Sequence, residues 1–261
     1  MIATRDGFGA LLRDWRQRRR LSQLALACEA EISQKHLSFV ESGRSLPSRE
    51  MVLRLAEQLD VPLRERNMML LAAGYAPVFH ERSLDDPTFA VARATIEAVL
   101  RGHEPCPALA VDRHWQMRLA NRAVAPLLAG VEDTGLLRAP VNVLRLSLHP
   151  QGLAPRIVNL PEWRAHLLER LRRQVHATAD PTLALLLREL EAYPTGTPRV
   201  VPSEAPTAIA VPLRLRTLSF LSTTTVFGTP LDVTLAEIAI EAFFPADAAT
   251  AAALQGDGAG T

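Results

Sequence analysis

SQLALACEAEISQKHLSFVESGRSLPS, residues 22–48, contains two short helical periods separated by a tight turn. Ser22 is placed to N-cap the first helix, in which Leu24, Ala25, Ala27 and Cys28 give a small-residue face, with Cys28 expected in the core. Side chains that small imply that a second helix packs close. The turn at Ala30, Glu31 and Ile32 leads to Ser33, a second N-cap, and Leu37, Val40 and Glu41 continue a 3.6-residue period until Gly43 stops it. Two short helices crossed at such a turn suit insertion of the second into the major groove of DNA. Gln34, Lys35, His36, Ser38 and Phe39 occupy its first two turns, where a helix entering by its N-terminal end presents side chains to base edges. A solvated helical face is the bland alternative; the agreement of caps, small residues and stop signal favours groove insertion.

The segment from about Phe8 to Tyr75 resembles the xenobiotic-response-element subgroup of the lambda-repressor-like helix-turn-helix family. The resemblance rests on LLRDWRQRRRLSQ, ISQKHLSFVESGRSLPS and MVLRLAEQLDVPLRERNMMLLAAGY. It implies an all-α domain of five helices in which Gln23 contacts phosphate and braces the recognition helix. It further implies that Gln34 and Lys35 lie where the family reads bases, and that Phe39 can touch a thymine methyl; Ser33 and His36, beside them in the first turn, are candidate DNA-binding residues from their position alone. Ser42 and Arg44 match backbone-contacting positions, and Arg16 with Glu41 matches a structural ion pair. The sequence departs from many relatives in the turn, where Glu31 stands in place of Gly, so a left-handed Glu31 or a differently shaped turn is expected.

With 261 residues the chain has room for a second domain. Its net charge of +1 hides an asymmetry: residues 1–80 hold 12 Lys and Arg against 9 acids, leaving the remainder slightly acidic. The sharpest basic piece is Arg13, Arg16, Arg18, Arg19 and Arg20, expected to meet phosphate near the second helix, with a solvated charged face the alternative for Arg13 and Arg18. A protein this weakly basic is expected to bind an operator as a homodimer on two half-sites, with clear salt dependence. No apolar window of about eighteen residues offers a membrane span, and MIATRDGFGALL has no apolar core of a secretory signal, so a cytoplasmic protein is expected. Cys28 and Cys106 lie far apart with no metal-ligand spacing.

After Tyr75, APVFHERSLDDP reads as a linker ending in an N-cap and a helix-starting proline, followed by a connecting helix to about Gly102. Ala108 to Val111 and Gln116 to Leu119 read as two strands, with Asn121 capping a short helix and Asn142 another. PEWRAHLLERLRRQVHATA is a long amphipathic helix, and a further one runs over 181–193. Ala208 to Leu215, Leu218 to Val226 and Val233 to Phe244 read as an antiparallel meander whose last turn lies at Phe227, Gly228, Thr229 and Pro230. The expected fold class is α+β: a helix-turn-helix domain (1–76), a linker and connecting helix (77–104), a PAS-like domain with a five-stranded antiparallel sheet and covering helices (105–246), and a flexible C-terminal tail (247–261).

That second region resembles the ligand-binding domain of MmyB-like transcription regulators, through PALAVDRHWQMRLANRA, VNVLRLSLHP, Trp163 at the start of the long helix, and LRELEAYP. The resemblance implies an apolar cavity for a fatty acid or related acyl ligand. Trp115, Met117, Leu127, Leu144, Leu146, Phe220 and Phe227 are the candidate lining, although a sheet covered by helices needs such residues as core in any case. Arg122 and Arg145 are the candidate hooks for a carboxylate, with surface placement equally open.

No enzyme is read here. The histidines are scattered, His166 with Glu169 lacks a third metal ligand, and Ser219, Ser222 and Thr223 to Thr225 have no nearby His and Asp pattern. No cofactor is called for. The sequence therefore points to a ligand-responsive transcription regulator, or, in a second reading, to a DNA-binding protein whose C-terminal domain is a ligand-free interaction or dimerisation module.

Overall fold

Three serines set the helix starts near the N-terminus. The Oγ atoms of Ser22, Ser33 and Ser48 accept the backbone N–H groups of Ala25, His36 and Met51 at 3.0, 3.1 and 3.2 Å, each satisfying one donor that a helix start leaves without a partner. A computed structural model describes residues 7–194, 211–228 and 230–256. In it α1 (Phe8–Arg18) is followed by α2 (Gln23–Glu29), α3 (Gln34–Glu41), α4 (Arg49–Gln58) and α5 (Leu63–Ala72), the five helices expected. They enclose a core of Leu12, Trp15, Leu26, Ala27, Leu37, Val40, Val52, Leu55 and Leu70. The approach of α1 to α3 depends on Gly9, where a Cβ would lie 2.5 Å from the Glu41 carbonyl oxygen.

Glu31, in the turn between α2 and α3, takes φ 54°. The left-handed alternative is therefore the one realised, in a region where a non-glycine residue costs about 1 kcal/mol. Cys28 is exposed rather than in the core. Ala27 and Ala30 turn inward instead, and Cys28, one position round the helix from Ala27, turns to solvent.

The connecting helix, α6 (Ala90–Gly102), follows one turn of 3₁₀ helix opened by Asp86, whose carboxylate accepts the Thr88 N–H at 2.8 Å. Next come β1 (Ala108–Val111), β2 (Met117–Ala120), α7 (Ala125–Leu128), α8 (Val143–Leu148), α9 (Leu160–Thr178) and α10 (Pro181–Ala192). The chain then runs through β3 (Leu213–Arg214), β4 (Ser219–Val226), α11 (Val233–Ala236), β5 (Ala239–Pro245) and α12 (Ala248–Gly256). The strands form one antiparallel sheet in the order β2-β1-β5-β4-β3. Leu109, Val111 and Phe220 of the sheet pack with Leu144, Trp163, Leu167, Leu171, Leu183 and Leu186 of the covering helices. This is PAS-like topology. Among the described residues, those through Arg82, with 176–178 and 230–236, form one compact unit and the others a second, so α6 groups with the sheet domain.

Four further expectations change. Residues 233–236 are a helical turn rather than the start of a strand, because the Asp232 carboxylate accepts the Thr234 N–H at 2.8 Å and begins a turn that β-rich composition does not reveal. The C-terminal segment expected as a tail is helical over 248–256. Its alanines favour helix, the Asp247 carboxylate accepts the Thr250 N–H at 2.7 Å, and the buried Thr250 hydroxyl accepts the Ser219 N–H at 2.9 Å. Asn121 caps no helix. Its buried amide donates to the Leu100 and Cys106 carbonyls and accepts the Ala108 N–H, tying the end of α6 to β1. Of the expected strand at Ala208 to Leu215, residues 208–210 lie outside the described residues, as does Thr229 of the turn, and the described part yields only the two residues of β3.

Candidate functional site

Glu41, at the end of α3, is the point on which the recognition helix is fixed. Its side chain is 1% exposed, and its carboxylate accepts Arg16 Nε at 2.6 Å, a second Arg16 guanidinium nitrogen at 2.9 Å and Gln23 Nε2 at 2.8 Å. Burial alone raises the Glu41 carboxyl, but the hydrogen bonds from Arg16 and Gln23 outweigh it and hold the group below its ordinary range. Arg16 also donates to the Leu21 carbonyl at 2.9 Å, and Arg13 to the Glu41 carbonyl at 3.1 Å. Arg19 is occupied as well, donating to the carbonyls of Leu59 and Asp60 and lying over the Trp15 ring. Part of the arginine run therefore braces the bundle.

With α3 fixed from beneath, its first turn faces outward. Gln34 and Lys35 are exposed and His36 is half-buried, behind Ser33, whose hydroxyl is engaged as the cap. Phe39 is half-buried between two cations, with Lys35 Nζ 5.8 Å and the Arg44 guanidinium 5.7 Å from its ring centre. Ser42 is exposed and its hydroxyl donates to the Phe39 carbonyl at 3.2 Å. Gly43, at φ 73°, turns the chain so that the N–H groups of Arg44 and Ser45 return to the same carbonyl. The result is a short surface of Gln34, Lys35, Phe39 and Arg44 offering amide, ammonium, ring and guanidinium, the groups suited to base edges and phosphate. Gln23 is half-buried with its amide on Glu41, the bracing half of the role that the family resemblance implies for it.

In the sheet domain the apolar candidates separate. Trp115, Leu144 and Phe220 are buried in the main core, Met117 and Leu127 pack against it, Leu146 joins a smaller cluster with Val131 and Val141, and Phe227 is half-buried. Met117 also lines a cleft of about 310 Å³ with Leu84, Arg93 and Pro140. The candidate carboxylate hooks already have partners. Arg122 is exposed and pairs with Glu104 at 2.6 Å, while Arg145 forms a two-pronged pair with Glu189 at 2.7 and 2.8 Å, holding that carboxyl below its ordinary range. Tyr193 donates to the same carboxylate at 2.7 Å, and burial with this bond pushes its phenol up. Asn142 caps α8 by accepting the Arg145 N–H at 3.0 Å.

A feature that the sequence reading passed over is a cleft of about 480 Å³ between α9 and β4, lined by His166, Arg170, Arg173, Val211, Ser222 and Thr224. Arg170 donates to both oxygens of the buried Glu241 at 3.0 and 2.6 Å and to Thr224 Oγ1 at 2.9 Å, and lies 4.5 Å from the Trp115 ring centre. Trp115, between β1 and β2 at φ 64°, is held in this left-handed conformation with its Nε1 donating to Gln174 at 2.8 Å. His166 stacks on Trp163 at 5.5 Å between ring centres. The signal for this cleft was present as a basic i, i+4, i+7 stripe on the long helix, but a stripe does not say which surface it faces.

Among the described residues no group of three His, Cys, Asp or Glu is placed to hold a metal ion, and no helix is long and apolar enough to cross a membrane. Residues 8–68 match a helix-turn-helix domain, and residues 92–256 match the MmyB-like transcription regulator ligand binding domain. Both are regulatory, non-catalytic families. A comparison with curated proteins gave no match. The second match alone spans more than half of the chain and covers the PAS-like sheet domain, while the first covers the outward-facing α3. The chain belongs to the MmyB-like family of transcription regulators, as a DNA-binding helix-turn-helix protein with a ligand-binding-type C-terminal domain.

Proposed function

We propose that this protein is a cytoplasmic, homodimeric regulator whose binding to an operator is controlled by a small, largely apolar ligand, with a fatty acid or acyl compound as the leading class. Gln34, Lys35 and Phe39 read bases; Ser33, His36, Gln23, Ser42 and Arg44 support contact with the backbone. The observation that carries the DNA-reading half is the exposed first turn of α3 above a buried, fully bonded Glu41, because a reading helix works only if its orientation is set in advance. Ligand favours one arrangement of the two subunits over another, so that half-site spacing matches DNA in one state.

A second reading has its own observation. Leu144 and Phe220, candidate lining residues, are 2% and 0% exposed and packed into the core, as in a filled module that only dimerises. Lipid extraction and native mass spectrometry of the purified chain, combined with thermal melts in the presence of acyl compounds, separate the two. A bound acyl species or a melting shift supports the sensor, and the absence of both supports the filled module.

A further inference from the structure

We propose that the β4–β5 connection, residues 230–236, is a coupling strap seated on the linker after α5, through which the state of the sheet domain reaches the loop that leaves the recognition helix. This rests on the ligand-controlled reading above and names the route by which control travels.

In sequence the strap belongs to the sheet domain, because it joins two neighbouring strands. In the fold it belongs to the compact unit of α1 to α5. The linker holds its backbone there. His80 and Asp232 form a parallel bridge, the His80 carbonyl accepts the Val233 N–H at 2.8 Å, and the Thr234 hydroxyl donates to the Arg82 carbonyl. Val233 is 1% exposed, and α11 packs against α5.

The linker in turn is fixed to α5. Asn67 Oδ1 accepts the N–H groups of Val78 and Phe79 at 3.0 and 3.1 Å, and its Nδ2 donates to the Phe79 carbonyl at 2.7 Å. Tyr75, between α5 and these residues, donates its hydroxyl to the Pro47 carbonyl at 3.0 Å. Pro47 follows Arg44 by three residues and directly precedes Ser48, the cap of α4. A shift of the strap is therefore passed through bonded backbone to the segment that carries Arg44, the contiguous path that coupling between two sites uses.

The seat is weak enough to be left. Asp232 Oδ1 accepts the Thr234 N–H, but Oδ2 is buried with no hydrogen-bond partner among the described residues. A buried acceptor without a donor opposes seating, because water serves it once the strap is released. Against this stand one buried valine side chain and two hydrogen bonds to linker carbonyls. Opposing contributions of comparable size keep the seated and released forms close in free energy, which is what a bound ligand needs in order to shift the balance between them.

Hydrogen exchange on the full-length chain, with and without a DNA duplex that the chain selects from a randomised pool, tests the strap. A route that carries sheet-domain state to DNA carries DNA binding back with the same coupling free energy. Duplex that orders the segment after α3 should favour the seated form and slow exchange of the Val233 amide by at least about threefold. Thr234→Val, which keeps the side-chain shape and loses the hydroxyl, should speed that exchange in the free protein. Tyr75→Phe should leave the free-protein rate unchanged and abolish the response to duplex. A Val233 amide indifferent to duplex in the unmodified protein, or a response that survives Tyr75→Phe, overturns the strap while the DNA-binding regulator stands. A chain that selects no duplex overturns both. No small molecule is added, so failure of acyl sensing and failure of the strap are read separately.

Discussion

Arg16 grips both oxygens of Glu41 across 25 residues of sequence, at 2.6 and 2.9 Å, and in doing so ties α1 to the end of the recognition helix. With Glu41 1% and Arg16 11% exposed at the side chain, this pair is desolvated and its loss is costly. Glu41→Ala should destabilise the N-terminal domain by about 3–5 kcal/mol, because it leaves a buried guanidinium without its counter-charge. Chemical denaturation of the variant is the check; a loss under about 1 kcal/mol would remove the pair from the scaffold.

The pH dependence has a definite sign. The Glu41 carboxyl lies below its ordinary value in the folded protein, so its contribution to stability is full above the unfolded carboxyl range and is lost as pH falls through the lowered folded value. Glu41→Gln should therefore flatten the acid side of the stability profile. Melting temperatures measured from neutral pH down into the carboxyl range should show the two proteins converging at the acid end.

Readout and grip should separate at α3. Gln34→Ala and Lys35→Ala should each cost about 1–3 kcal/mol on the preferred operator and relax preference at particular bases, whereas Arg44→Ala should weaken all sequences alike and lower the salt slope by about 1. Binding titrations over a range of salt, on a library of sites, distinguish the two patterns. Unchanged footprints and affinities in all three variants would sink the assignment of α3 as the reader.

Gly9→Ala should destabilise, since the added methyl group meets the Glu41 and Val40 carbonyl oxygens at 2.5 and 2.6 Å. Forcing α1 from α3 should cost about 1–3 kcal/mol. It should also weaken operator binding beyond the stability effect by tilting α3. Gly7→Ala, where a Cβ meets nothing within 4 Å, is the control and should melt close to the unmodified protein.

Asn121→Ala tests the other domain. Its amide serves the Leu100, Cys106 and Ala108 backbone groups at 3.0, 2.8 and 3.1 Å, and stranding buried groups of this kind costs about 1–3 kcal/mol each. A melt that leaves operator binding by the N-terminal domain intact, with the sheet domain unfolding earlier, is the expected result.

Much of this architecture is legible in local sequence. Ser22, Ser33 and Gly43 mark helix ends because capping depends on residues three or four apart, and β1 lies at Ala108 to Val111 as the apolar run suggests. The misread elements share a different cause. Asp232 is a cap signal inside a β-rich run, and the turn it opens is held from a distance by the His80 carbonyl, which accepts the Val233 N–H at 2.8 Å; the helical C-terminal segment is held partly by Thr250 meeting Ser219, 31 residues away. Asn121 resembles a cap in sequence but spends its amide on backbone brought in from α6 and β1.

The site divides along the same line. Local sequence suffices to place Gln34 and Lys35 at the start of a helix after a tight turn, and an apolar sheet domain after a connecting helix, because periodicity and capping act over one or two turns. The family resemblance already implied the Arg16–Glu41 pair, but the partners of the other arginines come from folding alone: Arg122 on Glu104, Arg145 on Glu189, Arg170 on Glu241. An arginine's role depends on the carboxylate that folding places beside it, often dozens of residues away, and no local spacing records that choice.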